Sequence, residues 1–192
     1  MTSDGSRYQA HSSEGGYSDF APTDKRQIRL LEFLLGRFDH VGVERVCSGI
    51  GVPNIYEYFR DVEEIPEPPD VTQLIQSAKD HTKAIVDAAV DPKNPSELCR
   101  TTVDMLISIL GGEAGNLVLK VFATGGVYIA GGIALHLTDV MREPRFMQAF
   151  ANKGRFKDLM GRIPIHVITA RAALLGAAAY GLAELENHKE HA

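Results

Sequence analysis

Tryptophan is missing from this sequence and cysteine is nearly so: its 192 residues include only Cys47 and Cys99. Two cysteines so far apart exclude a disulfide-rich secreted scaffold and a cysteine-rich zinc site, because both need several closely placed thiols. The seven histidines also lack the spacing of a metal-binding motif such as HExxH. We therefore expect no metal ligands in this chain and a reducing, cytoplasmic location.

Long apolar runs and basic clusters are missing as well. The longest apolar candidate, residues 172–183, is shorter than the about 20 residues that a membrane-spanning helix needs. Residues 1–8 contain no apolar signal segment. The net charge is −5, and the 20 lysines and arginines form no patch for a phosphate backbone. We therefore expect neither a membrane nor a nucleic acid as a partner.

The first half of the sequence is predicted to be mainly helical. Hydrophobic residues make up 44% and charged residues 23% of the chain, as in ordinary globular proteins. Residues 1–7 are polar and expected to fray, and residues 8–13 predict a weak strand. The helical spacing of apolar residues predicts helices over 23–37, 41–47, 53–60, 71–80, 82–90 and 94–122.

Capping residues and prolines mark where several of these helices begin. Asp70 is predicted to cap the helix that follows it, and Asn94 to cap the longest helix with Pro95 in its first turn. Residues 62–70 hold three prolines and four acidic residues, which predicts an exposed linker.

Three glycines lie inside the longest predicted helix: Gly111, Gly112 and Gly115. Each costs about 1 kcal/mol relative to alanine in a helix interior. We therefore expect another helix or a ligand to approach this helix closely.

The second half alternates helices with two short apolar strands. Residues 126–130 and 165–169 predict buried strands. Helices are predicted over 134–141, 144–152 and 173–187. This order favours an α/β layer with parallel strands.

Two acidic residues beside glycines are candidate contacts for a polyol. Glu14 precedes Gly15, Gly16 and Tyr17 in a predicted turn, and Glu44 precedes a second glycine-containing segment. A carboxylate accepts hydrogen bonds from hydroxyl groups while paired glycines let the backbone approach the ligand. The alternatives remain that both are solvated surface charges, or that they form a glycosidase pair.

A second candidate site follows the first apolar strand of the second half. Gly131, Gly132 and Ile133 stand between that strand and the next helix. Uncovered backbone N–H groups at such a turn can face a nucleotide or a phosphate. A tight turn without a ligand explains the same glycines, and the segment is neither a GxGxxG fingerprint nor a Walker A loop.

Four blocks together resemble the bacterial-type glucokinase family, the one without a zinc site, within the actin-like sugar kinases. They are Ser13–Pro22 (SEGGYSDFAP), Glu44–Gly51 (ERVCSGIG), Gly125–Ile133 (GGVYIAGGI), and Lys153–Phe156 (KGRF) with Leu174–Gly176 (LLG). The resemblance covers nearly the whole chain.

The resemblance implies a fold and a set of roles. It implies an actin-like ATPase (ribonuclease H-like) α/β large lobe with extra helices, and phosphoryl transfer from Mg-ATP to glucose. Glu14, Gly15, Gly16, Tyr17 and Glu44 would bind the sugar. Gly131, Gly132 and Ile133 would line the adenosine.

The sequence departs from the family pattern in two ways. The family has histidine where this chain has Tyr17, so an altered sugar contact is expected. The Asp-Gly-Gly-Thr phosphate loop and the catalytic aspartate of a small N-terminal lobe do not occur in residues 1–192. We therefore expect the large lobe alone, with no catalytic residue in this chain, no turnover on its own, and a sheet incomplete at one edge that favours a homo-oligomer.

Two other functions remain open at this point. One is a non-catalytic sugar-binding or regulatory kinase-like lobe. The other is a purely structural actin-like partner. Polyphosphate remains open as a phosphoryl donor in place of ATP.

Overall fold

The protein is described by a computed structural model that covers residues 2–3, 8–9, 11–170 and 172–190, with side chains from residue 11 to residue 183. The chain folds into two compact units, which are residues 1–109 and residues 110–192. One long helix passes from the first unit into the second.

The first unit is built mainly of helices around an apolar core. Its helices are α1 (Lys25–Leu35), α2 (Gly51–Asp61), α3 (Pro69–Ser77), α4 (His81–Val90) and the start of α5 (Glu97–Val121). Strands β1 (Thr2–Ser3) and β2 (Tyr8–Gln9) pair antiparallel. The core side chains with no exposed surface include Leu30, Leu34, Val46, Val52, Ile55, Tyr58, Leu98, Val103 and Ile107.

The residues at which α3 and α4 begin differ from those predicted from the sequence. Helix α3 begins at Pro69 after an extended Pro68, so Asp70 lies inside the helix and the predicted cap is wrong. Proline fits this position because its φ is already helical and the first N–H has no helical partner. Asp80, predicted as the end of that helix, instead caps α4 by accepting from the Lys83 N–H at 3.0 Å.

Helix α5 also begins later than predicted, at Glu97. The Ser96 hydroxyl oxygen accepts from the Cys99 N–H at 3.3 Å, so Ser96 and not Asn94 provides the cap. The Ser96 N–H in turn donates to the Ala88 carbonyl at 3.0 Å, which holds the cap against the end of α4.

Two short segments of the first unit differ from the sequence expectations. The predicted helix 41–47 is only a 3-10 turn at Val43–Arg45. Thr2–Ser3 forms a strand where fraying was expected, and the remainder of residues 1–7 lies outside the described residues.

The second unit contains the predicted parallel strands. Strands β3 (Val127–Ile129) and β4 (Ile165–Val167) pair in parallel, with Tyr128 opposite His166. The helices after α5 are α6 (Gly132–His136), α7 (Thr138–Met141), α8 (Pro144–Ala151), α9 (Lys157–Met160) and α10 (Ala172–Glu190). A 3-10 turn spans Gly154–Phe156.

The expectation that both strands are buried is wrong in part. Ile129 is buried, but the stacked rings of Tyr128 and His166, 4.9 Å apart, lie on an exposed face. Successive side chains of a strand point to opposite faces, and only one face of this pair is covered in the described unit. The predicted helix 134–141 is likewise two helices, divided at Leu137.

Glycines of α5 allow α8 to pack closely, as predicted. A Cβ at Gly111 would lie 2.4 Å from the Phe146 carbonyl oxygen, and one at Gly115 would lie 2.6 Å from that of Phe150. The Lys153 ammonium completes the contact by donating to the Gly112 carbonyl at 2.9 Å and to the Asn116 side chain at 2.6 Å. Burial lowers the pKa of Lys153 below its ordinary value.

Helix α5 corrects one sequence expectation about membranes. Among the described residues it is long and apolar enough to cross one, by length and mean hydropathy alone, although no continuous apolar run of that length occurs in the sequence. Most of its apolar window, 61%, is buried inside the protein. Core helices meet the same length and hydropathy criterion, so this helix is weak support for a membrane span.

Candidate functional site

The glycine segments of the first unit meet as two adjacent 3-10 turns. One spans Gly15–Tyr17 and the other Val43–Arg45. A Cβ placed on Gly16 would lie 3.5 Å from the Glu44 Cβ, so the two predicted sugar-contact segments lie side by side. The sequence separates them by more than 20 residues, and α1 brings them together.

Backbone pairing fixes the two turns against each other. Asp19 and Gly42 form an antiparallel bridge, in which the Phe20 N–H donates to the Val41 carbonyl at 3.0 Å. The Val43 N–H donates to the Ser18 carbonyl at 2.9 Å. Gly42 permits this approach, because a Cβ there would lie only 3.0 Å from the Gly16 carbonyl oxygen.

The second turn is also held from its C-terminal side. The Ser48 hydroxyl donates to the Glu44 carbonyl at 2.7 Å, and the Asn54 amide of α2 donates to the Arg45 carbonyl at 2.9 Å. A Cβ on Gly51 would approach the Val46 backbone to 2.8 Å. These contacts leave the Glu44 side chain on a rigid backbone.

A pocket of about 500 Å³ opens beside the two turns. Its lining residues are Gly16, Tyr17, Arg37, Phe38, Asp39, His40, Gly42, Glu44, Arg45 and Ile50. A volume of this size suits a small ligand, since small-molecule pockets span about 300–1,000 Å³. We refer to it below as the turn pocket.

The turn pocket contains three of the five predicted sugar-contact residues. Gly16, Tyr17 and Glu44 line it. Glu14 and Gly15 come directly before Gly16 in the first turn and are not part of the pocket wall. Neither Glu14 nor Glu44 has a side-chain hydrogen bond or ion pair among residues 11–170 and 172–183, whose side chains the structure describes. Glu14 is exposed and Glu44 is half-buried, so both carboxylates have open acceptor oxygens.

Sequence reasoning missed several lining residues that follow α1. Arg37, Phe38 and His40 come from the segment after that helix, which shows no motif. The His40 Nε2 lies 3.0 Å from the Asp19 carboxylate, and this contact joins the segment to the first block. The neighbouring pair of basic and aromatic residues at 37–38 was the only sequence signal available.

The second candidate site lies in the other unit, at the end of β3. Gly131 has φ +113° and caps α6, which begins at Gly132. A Cβ on either glycine would meet no atom within 4 Å, so open space lies above both residues. Ile133 follows in the first turn and is half-buried. A strand–glycine–helix junction is thus present as predicted.

Comparison with solved structures places this fold in a known class. The chain is similar to the crystal structure of a glucokinase from an Antarctic psychrotroph, with a TM-score of 0.68 and 30% identity. The match covers 84% of this chain and 46% of that one. The mostly helical α/β fold of this chain, with its small parallel sheet, is therefore also found in a glucokinase.

Family comparison is more specific. The family model described as Glucokinase matches residues 1–184, and the chain belongs to the glucokinase family. It is 37% identical over 187 residues to a glucokinase of Nostoc punctiforme, covering 91% of this chain and 54% of that protein. A Synechocystis glucokinase is 37% identical over 183 residues, covering 90% and 52%. The chain thus spans about half the length of the curated relatives it matches.

Proposed function

We propose that this chain is the large lobe of an enzyme that transfers a phosphoryl group from Mg-ATP to glucose, giving glucose 6-phosphate. The observation that carries the proposal is the turn pocket, whose wall includes Glu44 and Tyr17, and neither side chain has a hydrogen-bond partner among the described residues. The family relationship supports it, because the matched relatives are named glucokinases. In this proposal the fold is that of the actin-like sugar kinases.

The proposed sugar contacts divide by chemistry. Glu14 and Glu44 accept hydrogen bonds from sugar hydroxyls, and an ionised acceptor makes a bond about twice as strong as a neutral one. Gly15 and Gly16 let the backbone approach the ring. Tyr17 donates or accepts one further bond through its phenol.

The proposed nucleotide contacts are Gly131, Gly132 and Ile133. The open space at the Cβ positions of Gly131 and Gly132 leaves their backbone accessible to an adenosine ring. When bound, ATP supplies the phosphoryl group and magnesium neutralises its charge. The described residues contain no group of three or more histidine, cysteine or acidic side chains arranged for a metal, so the metal is not assigned to residues of this chain.

We further propose that the chain does not catalyse on its own, because none of its residues is assigned as the catalytic base. Its location is proposed to be the cytoplasm, where the thiols of Cys47 and Cys99 stay reduced. Tyr17 favours one alternative, a sugar-binding regulatory lobe without catalysis, because it replaces the histidine of the family pattern.

Saturation-transfer NMR on the purified chain tests the sugar site. Glucose, other hexoses and ATP are each added to the native chain and to Glu44→Gln and Glu14→Ala. We expect a glucose signal that is lost in Glu44→Gln, because removing the charged acceptor weakens several hydroxyl contacts at once. Glu32→Gln is the matched control, since Glu32 is an exposed carboxylate of α1 outside the pocket wall.

The same samples test the rest of the proposal. A glucose signal that persists equally in Glu44→Gln and Glu32→Gln would contradict the assigned site. Turnover of ATP and glucose by the chain alone, in an assay for glucose 6-phosphate, would contradict the absence of catalysis.

A further inference from the structure

A second pocket in the first unit shares no lining residue with the turn pocket. It has a volume of about 420 Å³ and lies where the start of α3 meets the end of α4. Its apolar floor includes Val71 and Leu74 of α3 and Val90 of α4. Leu74 is 47% and Val90 39% exposed, so the floor presents apolar surface to solvent. We refer to this pocket as the α3–α4 groove.

Three aspartates line the same groove. Asp87 is paired with Lys83 on α4. Asp70 has no side-chain hydrogen bond or ion pair among the residues whose side chains are described. Asp91 accepts from the backbone N–H of Lys93 at 2.8 Å and has no ion pair within the same residues. Two carboxylates of the groove are therefore without a cationic partner there.

The end of α4 adds negative potential to the groove. Helix α4 ends at Val90 with Asp91 as its C-cap, and its last turn contains no basic residue. The free carbonyls at a helix C-terminus carry partial negative charge and attract cations. Lys93 follows but is exposed and lies outside the groove wall. The apolar floor is thus bordered by negative charge.

A long cationic side chain is the chemical complement of this groove. Arginine and lysine have a hydrocarbon stem that packs along apolar surface and a charged head that stays at its edge. Arginine fits carboxylates best, because its planar guanidinium donates two parallel hydrogen bonds to one carboxylate.

The second unit presents such side chains on its surface. Arg155, Lys157 and Arg162 are exposed within a stretch of eight residues that also contains the exposed Asp158. None of the three cations has an ion-pair partner among the described residues. The Arg155 guanidinium lies 5.1 Å from the centroid of the Phe156 ring, a contact that orients the side chain and leaves its N–H donors open.

We propose that the α3–α4 groove of one copy of this chain binds Arg155 of another copy, with Lys157 and Arg162 adding attraction at the rim. Two reciprocal contacts of this kind close a dimer, whereas a single contact continues into longer assemblies. The interface depends on neither the sugar site nor the nucleotide site. It assigns a specific surface to the self-association expected from the sequence.

Sedimentation velocity of the full chain over a range of concentrations tests the contact. Arg155→Glu and Asp70→Arg are each expected to raise the dissociation constant about tenfold, because each places like charges together. Raising the salt concentration is expected to weaken association of the native chain. Association through apolar side chains alone is not weakened in this way.

Control variants separate this contact from general charge and from misfolding. Arg142→Glu and Glu32→Arg make matched charge reversals at exposed residues outside the two proposed surfaces and are expected to leave association unchanged. Leu74→Ala removes part of the groove floor without a charge and is expected to weaken association to a smaller extent. Thermal unfolding of each variant checks that the fold is retained.

Mixing the two charge reversals gives the decisive measurement. A mixture of Arg155→Glu with Asp70→Arg contains a native groove on one variant and a native Arg155 on the other. We expect the mixture to associate more strongly than either variant alone, a gain that misfolding cannot produce. The proposal is overturned by a native chain that stays monomeric or associates independently of salt. Variants that associate like the native chain, or a mixture that gains nothing, overturn it equally.

Discussion

At the scale of single residues, Tyr17 is the residue of the proposed sugar site that departs from the family pattern. It lines the pocket with 66% of its surface exposed, so the phenol is free to reorient toward a ligand. A phenol is longer than an imidazole and does not titrate near neutral pH. In the proposed sugar site, the residue at this position therefore sets both the reach and the charge of one contact.

Tyr17→His is expected to strengthen glucose binding by the chain about two- to tenfold, the worth of one hydrogen bond of about 0.5–1.5 kcal/mol. The measurement is a glucose titration followed by NMR. Tyr180→His is the matched control, because Tyr180 is similarly exposed, at 59%, on α10. Unchanged or weaker glucose binding in Tyr17→His would count against this role.

Glu63 illustrates a second property set by single contacts, the dependence of stability on pH. It accepts from the Tyr58 hydroxyl at 2.6 Å and from the Arg29 guanidinium at 2.6 Å. The Tyr58 hydrogen bond, followed by Arg29, lowers the pKa of Glu63 below the ordinary value of a glutamate. Burial and the same hydrogen bond raise the pKa of Tyr58 to about 12.

The signs of these shifts give two pH windows. The stability from Glu63 is present above the ordinary glutamate pKa and is lost as the pH falls through its lowered one. The stability that Tyr58 contributes is present below the ordinary tyrosine pKa of about 10. It is lost as the pH rises toward the raised pKa of about 12. Between the windows, near neutral pH, both contributions are complete.

Glu63→Gln is therefore expected to lower the free energy of unfolding by about 1–2 kcal/mol at pH 7. The difference from the native chain should shrink as the pH falls from 7 toward 3, because the native carboxylate loses its charge as the pH approaches and passes its lowered pKa. Urea unfolding at both pH values measures it. Glu64→Gln, at the neighbouring exposed residue, should have little effect at either pH.

At the scale of elements, the packing of α8 on α5 depends on two glycines and not on the third. Added Cβ atoms at Gly111 and Gly115 would meet the carbonyl oxygens of α8, which cannot move without distorting that helix. A Cβ at Gly112 would meet no atom within 4 Å outside its own helix.

Gly111→Ala is expected to destabilise the protein by about 1–3 kcal/mol through overpacking. Gly112→Ala is the matched control in the same helix, and it should be neutral or stabilising by up to about 1 kcal/mol, since alanine favours helices. Thermal unfolding of both variants measures the difference. Equal melting temperatures would show that α8 can move away without cost.

Elements also show how far the sequence predicts the fold. The parallel pairing of β3 with β4 follows from the order of helices and strands and is confirmed. The existence of α1, α2, α4 and α5 follows from periodicity and is also confirmed. The start of α5 does not follow, because a hydrogen bond from Ser96 to the carbonyl of Ala88 selects the cap. Local propensity favours Asn94 and Ser96 equally as the N-cap of α5, and it contains no information on the contact with Ala88.

The candidate site divides in the same way. Glu44 and Tyr17 were identifiable from glycine-rich segments and the family resemblance. The sequence does not show which other residues line the pocket. The turn after α1 places Arg37, Phe38 and His40 there, and Arg45 is placed by its contact with the Phe38 ring. Both features depend on tertiary contacts. Arg45 belongs to a block that the resemblance identified, yet its orientation is set by a ring from a different segment.

At the scale of the whole molecule, self-association remains a prediction. The sheet of the second unit has two strands among the described residues, and an unpaired strand edge accepts another chain. Helix α10 adds exposed apolar side chains, with Leu174 at 80% and Leu175 at 73%. Exposed apolar surface of this kind favours association between copies.

Sedimentation velocity over a range of concentrations is expected to show a dimer or a larger assembly. Replacing Leu174 and Leu175 by lysine should shift the distribution toward the monomer, because two charges would have to be buried. A single monomer peak for the native chain at high concentration would contradict the prediction.

The close contact of Gly42 with the first turn has a consequence for engineering the pocket. A Cβ at position 42 would lie 3.0 Å from the Gly16 carbonyl oxygen and 3.3 Å from the Tyr17 Cα, both of which are backbone atoms of the first turn. Libraries that aim to change ligand preference should therefore leave Gly42 fixed and vary Tyr17 and Ile50, which line the wall with exposed side chains. Gly42 thus fixes the approach of the two turns, and the ligand preference of the pocket is open to design through Tyr17 and Ile50.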